Sequence, residues 1–425
     1  MRLFSLQLRG WVPPANAFFQ FFAAAENAFW LDREFNGATP ISVIGAGVLA
    51  SSDLDSPAVR NIHEDEDLPF DWRPGLVGFF EYDGTPRFLN VDRGMVFDHS
   101  LRKMYLVGLF ETSGDFENWC NAAFLRFGLI GGELEAYKLR HAKQSSASSL
   151  KLRHDSAEYL KMIRTAQSYI AAGDVYQICL TNRIEIEHSI EPLAAYLELR
   201  EANPAPYSAF VRIGITTVVC SSPEQFLQIG ASGLISTKPI KGTRPRSIDP
   251  IQDEALAEEL RNNEKERAEN LMIVDLMRND IGRVAAADSV KVSKLFDIES
   301  YSTVHQLVST VEGQLAKGET AQTALAAAFP GGSMTGAPKI RAMEIIAELE
   351  REPRGVYSGV VGFFGFNGAA EFGMTIRTIV FEGAKAYIGV GGGITSDSDP
   401  IAELEETKLK AKALLRVLKA PDPWA

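Results

Sequence analysis

VVGFFGFNGAAEFGMTIRTIVFEGAKAYIGVGGGITSDSDPIAELEETKLKAKALLRVL, residues 360–418, holds two periodicities in succession. The first half predicts three consecutive antiparallel strands, Val360–Phe366, Gly373–Phe381 and Lys385–Val390. Asp399-Pro400 then supplies an N-cap and a first-turn proline. Leu404, Thr407, Ala411, Leu414, Leu415 and Leu418 fall on one face of the helix that follows. Upstream, Asp155 caps a helix whose apolar stripe is Tyr159, Met162, Ile163, Ala166, Tyr169 and Ile170, and Gly173 ends it. Strands are expected at 206–211 and 217–220. Asp249-Pro250 opens a helix to about Arg261, and another covers about Glu264–Arg278. Residues 1–140, with Ile41–Ile44 and Leu76–Phe80 among their short apolar runs, read as several strands and a few helices. Residues 141–154, centred on Gln144–Ser149, are the most linker-like stretch. Gly45-Ala46-Gly47-Val48-Leu49-Ala50 imitates a dinucleotide fingerprint. Ser51-Ser52-Asp53 and Pro57 break the helix such a site needs.

Composition narrows the function classes. The 425 residues carry 43 Lys+Arg and 55 Asp+Glu, a net charge of −12, with 46% hydrophobic residues. That balance suits a soluble globular protein and argues against a nucleic-acid surface, which needs clustered cations. No apolar run approaches the roughly 20 residues of a membrane span. Ala17–Ala25 resembles a signal h-region but is broken by Gln20, and reads as a core-facing helix; the expected location is the cytoplasm. Cys120, Cys179 and Cys220 are too few and too scattered for a disulfide framework or a CxxC clip. HExxH is absent, and no cysteine sits in a glycine-rich elbow of the kind that splits glutamine.

Four constellations carry chemistry. Glu266 and Glu269 share one helical face, and Glu403 and Glu406 share another. Brought together, four carboxylates repel one another and call for a hard divalent cation such as Mg²⁺; kept apart, such pairs merely decorate exposed helices. Lys238-Pro239-Ile240-Lys241-Gly242-Thr243-Arg244-Pro245-Arg246 holds a lysine on a proline-stiffened loop. Partial desolvation would lower its pKa and make it an amine nucleophile, whereas full solvation would leave only a basic loop. Gly389–Ser396 is either a backbone N–H cradle for a carboxylate or a flexible turn. Phe329–Lys339, rich in Gly and hydroxyls, opens a helix from Ile340 to Glu350 and either binds an anion or only caps that helix.

The blocks PIKGTRPR, ERAENLMIVDLMRNDIGRV, VHQLVSTVEG, FPGGSMTGAPKIRAMEII, RGVYSGVVGFFGFNGAAEFGMTIRTIV and GVGGGITSDSDPIAELEETKLKA resemble the chorismate-utilising enzymes, from about residue 155 to the C-terminus. Within them the chain resembles the aminodeoxychorismate synthases of the para-aminobenzoate branch of folate synthesis. The resemblance implies a two-lobed α/β (α+β) fold, with antiparallel sheets around a core, helices outside and the active site in the cleft. Residues 1–140 would belong to the same fold, and 155–425 would form the chorismate-binding region. It implies Mg²⁺ held by Glu269 and Glu406 with Glu266 and Glu403 in support. Tyr357 and Arg377 would hold chorismate carboxylates, Gly391, Gly392 and Gly393 the backbone cradle, and Ser333 the hydroxyl loop. Glu224 would be the proton donor to the departing C4 hydroxyl.

Lys241 stands where anthranilate synthases carry Ala, and the resemblance assigns it attack at C2 before ammonia enters at C4. Isochorismate synthases resemble a version with Lys where Gln177 stands, which weighs against water as nucleophile here. Anthranilate synthases often carry His directly before Leu-Val-Ser. Gln306 precedes Leu307 here, so either His305 points elsewhere or Gln306 supplies the hydrogen bond. Pro206, Tyr207 and Ser208 resemble a segment that in relatives helps form a tryptophan pocket. The implied partner is a glutamine amidotransferase subunit supplying ammonia, with no nucleic acid and no membrane. The alternatives are an anthranilate-forming enzyme and a ligand-binding regulatory subunit without turnover.

Overall fold

The computed structural model describes residues 1–36, 40–51, 54, 67–142, 149–188, 190–301 and 304–424. Two large antiparallel sheets dominate it. The first runs Arg2–Gln7, Lys103–Phe110, Arg93–Asp98, Ile41–Ala46, Asn27–Asp32, Tyr207–Ile213, Thr216–Ser222, Thr378–Glu382, Lys385–Ile394, Gln177–Glu187 and Gly336–Ala337. The second runs Ile240–Pro245, Val304–Gln314, Leu234–Lys238, Gln225–Ile229, Ala370–Met374, Val360–Gly365, Gly75–Phe80, Pro86–Val91 and Val48–Leu49. Strands from residues 1–140 therefore complete one flank of each sheet.

Side-chain alternation builds the layers. In Gly75–Phe80, Val77 and Phe79 join Phe29, Leu31, Val211 and Val380 in a core made by both sheets. Leu76 and Phe80 face the other way, toward a core shared with Ile273, Val274 and Met277 of the helix Glu264–Gly282. Helix Pro14–Phe22 packs Ala17 and Phe18, both fully buried, against Trp30 and Phe210. The apolar run near the N-terminus is thus a core helix, as its pattern predicts. Mixed α/β architecture with two antiparallel sheets agrees with the expected fold class.

The caps fall where the sequence places them. Asp155 accepts from Glu158 N, Asp249 from Ile251 N and Asp399 from Ala402 N, opening helices Ser156–Ala171, Pro250–Asn262 and Pro400–Val417. Gly47 leads into a short strand rather than a helix, so the dinucleotide imitation fails. Of the expected linker, 143–148 lie outside the described residues. His141 and Ala142 end the helix Glu133–Ala142, and Ser149–Leu152 is a strand paired with Gln177–Glu187.

The three consecutive strands need correction. Val360–Gly365 and Ala370–Met374 form a hairpin in the second sheet, but Thr378–Glu382 and Lys385–Ile394 belong to the first. The expected middle strand is cut at Thr375–Arg377, where the chain crosses between sheets. Thr375 turns its hydroxyl back to Val356 O, and Arg377 takes a left-handed φ of 51°. Both half-strands are buried and apolar, so hydrophobic pattern does not reveal the cut.

Candidate active site

Strand Ile240–Pro245 places Lys241 opposite Leu307, with a register shift across Gly242. The lysine does not point to bulk solvent. Its Nζ donates to Glu269 Oε2 at 3.1 Å, and the two side chains are 14% and 12% exposed. Burial pushes the ammonium down, but the Glu269 carboxylate, joined by Cys179 and Glu224, brings the net direction upward. This corrects the expectation of a lowered pKa, which considered desolvation without a partner.

The two glutamate pairs do meet. Asn263 caps the helix Glu264–Gly282 through Glu266 N, directing Glu266 and Glu269 toward the Glu403/Glu406 turn of Pro400–Val417. Burial and the Glu269 carboxylate raise Glu266, against Arg244 and Lys241. Burial raises Glu403, against a 2.7 Å hydrogen bond from Ser398. Burial would raise Glu406 too, but Lys410, 2.7 Å away, leads the cations that bring it below its ordinary value. Lys241, Lys265 and Lys410 thus neutralise most of the acidic charge. Among the described residues, no three acidic, histidine or cysteine side chains converge on one cation point in this arrangement. The donor set itself, four glutamate carboxylates from two helices, fits a hard cation once the lysines yield.

Glu224 lies between strands Thr216–Ser222 and Gln225–Ile229 and is buried. Burial pushes its carboxyl up to about 7, against the Ser333 hydroxyl and Lys241, which both favour the anion. Ser333 is in the one-turn helix Gly332–Met334 of the glycine-rich segment. That segment continues into strand Gly336–Ala337 and helix Lys339–Glu350.

Gly391–Gly393 are neither a turn nor a separate cradle loop. They extend strand Lys385–Ile394, opposite Thr181, Leu180 and Cys179. Pairing with Thr378–Glu382 stops at Ile388, so the other edge of this strand has no strand partner beyond that point among the described residues. A Cβ on Gly393 would lie 2.4 Å from Gln177 Nε2 and 3.1 Å from Lys241 Nζ, so the missing side chain lets both approach. Among the described residues, neither side-chain amide atom of the buried Gln177 has a hydrogen-bond partner.

Tyr357 lies flat on Gly389, where a Cβ would come within 2.0 Å of the ring. Gly389→Ala must expel that ring and should cost about 1–3 kcal/mol, read as a lower urea midpoint at unchanged m-value. Burial raises the Tyr357 phenol. Arg377 is near Tyr357 and Glu406, and burial lowers its guanidinium pKa. No hydrogen bond or ion pair holds it among the described residues. A desolvated, unpaired guanidinium is suited to an anionic ligand.

Other expectations separate. His305 bonds Ser300 Oγ at 2.7 Å and Asp253 Oδ1 at 3.0 Å, tying strands and helix together on the structural side. Gln306 is buried, with Oε1 unpartnered among the described residues. Pro206 and Tyr207 line a cavity of about 500 Å³ with Phe35, Lys238 and Tyr301. Ser208 does not line it: its carbonyl accepts from Arg33, whose guanidinium also lies 5.1 Å from the Tyr207 ring centroid and pairs with Glu371.

Sequence reasoning missed the buried Arg354–Glu350 pair and the lysines Lys265 and Lys410. The last two have a readable signal, since each is four residues from a site glutamate. The Arg354–Glu350 spacing is also four, but nothing local marks it as buried.

The sequence and the sheet arrangement coincide with a known class. Residues 72–416 match the chorismate binding enzyme signature, and the chain belongs to that family. It is 40% identical over 455 residues to aminodeoxychorismate synthase of Streptomyces griseus, spanning 96% of this chain and 63% of that relative's length. It is 40% identical over 374 residues to aminodeoxychorismate synthase component 1 of Escherichia coli, covering 86% of this chain and 81% of the relative. Among solved structures, anthranilate synthase component I from Streptococcus pneumoniae superimposes with a TM-score of 0.76 at 29% identity, over 98% and 92% of the two chains. No described helix is long and apolar enough to cross a membrane.

Proposed function

We propose that the protein aminates chorismate at C4, giving 4-amino-4-deoxychorismate for para-aminobenzoate and folate synthesis, with ammonia delivered by a glutamine amidotransferase subunit. The observation that carries this reading is Lys241, largely enclosed against Glu269 and within electrostatic reach of Glu224. The relatives named aminodeoxychorismate synthase support it.

Arg377 and the Tyr357 hydroxyl orient substrate carboxylates, and the open edge of Gly391–Gly393 offers backbone donors. Glu266, Glu269, Glu403 and Glu406 would hold Mg²⁺, which when bound supplies an electrophilic anchor for a ring carboxylate. Lys241 gives its ammonium proton to solvent and, as the free amine, attacks C2; both ring double bonds shift and the C4–O bond breaks. Glu224 gives its proton to the departing oxygen, which leaves as water. Ammonia then bonds to C4, both double bonds shift back, the C2–N bond to Lys241 breaks, and the new C4 ammonium returns a proton to Glu224. The balance is chorismate plus ammonia to aminodeoxychorismate plus water, with the lysine regenerated.

Glu224 gives this scheme a pH signature. Its acid form prevails below about 7 and is lost above, so kcat/KM should fall on the alkaline side with an apparent pKa near 7. Glu224→Gln should slow turnover by about 10²-fold or more and abolish that limb. An unchanged limb in the variant would remove Glu224 as the acid.

Product identity tests the function as a whole. With chorismate, Mg²⁺ and ammonium, para-aminobenzoate should appear only after aminodeoxychorismate lyase is added. Fluorescent anthranilate formed directly would transfer the protein to the other amination branch. No chorismate consumption under any ammonia supply would favour a binding subunit.

A further inference from the structure

Three ammonium groups face the four glutamates, and they are held differently. Lys241 donates to Glu269, and Lys410 donates to Gly391 O at 2.8 Å while lying 2.7 Å from Glu406. Lys265 alone reaches a carboxylate from each helix pair. Its Nζ is 3.9 Å from Glu269 Oε1 and 3.7 Å from Glu403 Oε1. Both distances exceed a hydrogen bond, so charge alone holds it there. Its side chain is 54% exposed, whereas Glu269 and Glu403 are 12% and 7% exposed. A long, half-exposed side chain thus places a positive charge between two buried carboxylates on different helices.

We propose that Lys265 is a displaceable internal counter-ion, which bridges the two helices in the cation-free protein and swings out to solvent when a divalent cation takes its place. The inference rests on the divalent-cation reading of the four glutamates. A divalent cation held by these glutamates would draw on the Glu269 and Glu403 carboxylates, so the resident ammonium would compete for position and repel the incoming charge. Lys241 and Lys410 are anchored by hydrogen bonds, whereas Lys265 has none to break among the described residues and open solvent to enter. Its presence also accounts for the lack of a ready cation cage among the described residues: Glu269 and Glu403 face Lys265, and Glu406 faces Lys410.

The test is Mg²⁺ affinity by isothermal titration calorimetry, with Mn²⁺ followed by electron paramagnetic resonance, on wild type, Lys265→Gln and Lys408→Gln. Lys408 is on the same helix as Glu403 but pairs with Glu405 at 2.7 Å, so its replacement removes an equal charge outside the cluster. Lys265→Gln should bind about three- to tenfold more tightly, and Lys408→Gln should stay within about twofold of wild type. Saturating Mg²⁺ should also raise the melting temperature more in Lys265→Gln than in wild type, because the tighter site adds more linkage stabilisation at equal cation. Unchanged or weaker binding by Lys265→Gln, beside clear binding by wild type, overturns the counter-ion role and leaves the cation reading intact. Equal tightening in Lys408→Gln also overturns it, since bulk charge would then suffice. Failure of wild type to bind either cation overturns the cation reading itself.

Discussion

Lys241→Ala should lose chorismate amination by about 10³-fold or more while binding chorismate nearly as well as wild type. The size of the loss follows from the route. Direct displacement at C4 asks ammonia to expel a hydroxyl in one step, whereas the lysine divides it into two allylic substitutions on a held substrate. Lys241→Arg should be equally inactive, because the guanidinium keeps the positive charge beside Glu269 but is not a nucleophile at any working pH. That pairing of variants separates covalent chemistry from charge. If the lysine served only to balance Glu269, Arg would restore most of the rate. The measurement is initial rate with ammonium as nitrogen source and excess lyase, beside chorismate affinity by fluorescence titration. A Lys241→Ala enzyme within tenfold of wild type would end the covalent role. In the active wild type, mass spectrometry after acid quench should find a chorismate-derived adduct on the peptide bearing Lys241.

How much of this could be read from the chain depends on the range of each interaction. The glutamate pairs were legible because three residues along a helix return a side chain to the same face, and both faces then met. The caps at Asp155, Asp249 and Asp399 were legible for the same reason, being contacts across one turn. The protonation of Lys241 was not. Burial alone points down, and its reversal comes from Glu269, 28 residues away on a helix that no local pattern ties to that strand. The cut at Thr375–Arg377 was illegible because both half-strands are buried apolar segments and the change of sheet lies in one backbone bend. Gly391–Gly393 misled in the other direction. Glycine clusters suggest a turn, yet here the side chains were removed so that Lys241, Gln177 and Glu403 could crowd against a strand.

Arg354→Met should be the most destabilising single change near the site, by about 3–5 kcal/mol. Arg354 and Glu350 are each 2% exposed and form a two-point pair, Nε to Oε2 at 2.9 Å and Nη2 to Oε1 at 2.7 Å. The guanidinium also donates to Met334 O and Cys179 O, and the carboxylate accepts from Thr181 N and its hydroxyl. One ion pair therefore ties together the helix Lys339–Glu350, the strand carrying Gln177 and the turn carrying Ser333. Removing the arginine leaves a carboxylate in an apolar interior with half its partners gone, and frees the turn that presents Ser333 to Glu224. The double variant Arg354→Met/Glu350→Leu should recover a large part of the stability, because the desolvated charge is then absent, yet remain catalytically poor because Met334 and Cys179 are no longer tied. Urea unfolding with activity measured on the same samples distinguishes these effects. A loss below about 1 kcal/mol, the level expected of an exposed pair such as Arg261–Glu258, would show that the pair is not what holds the site together.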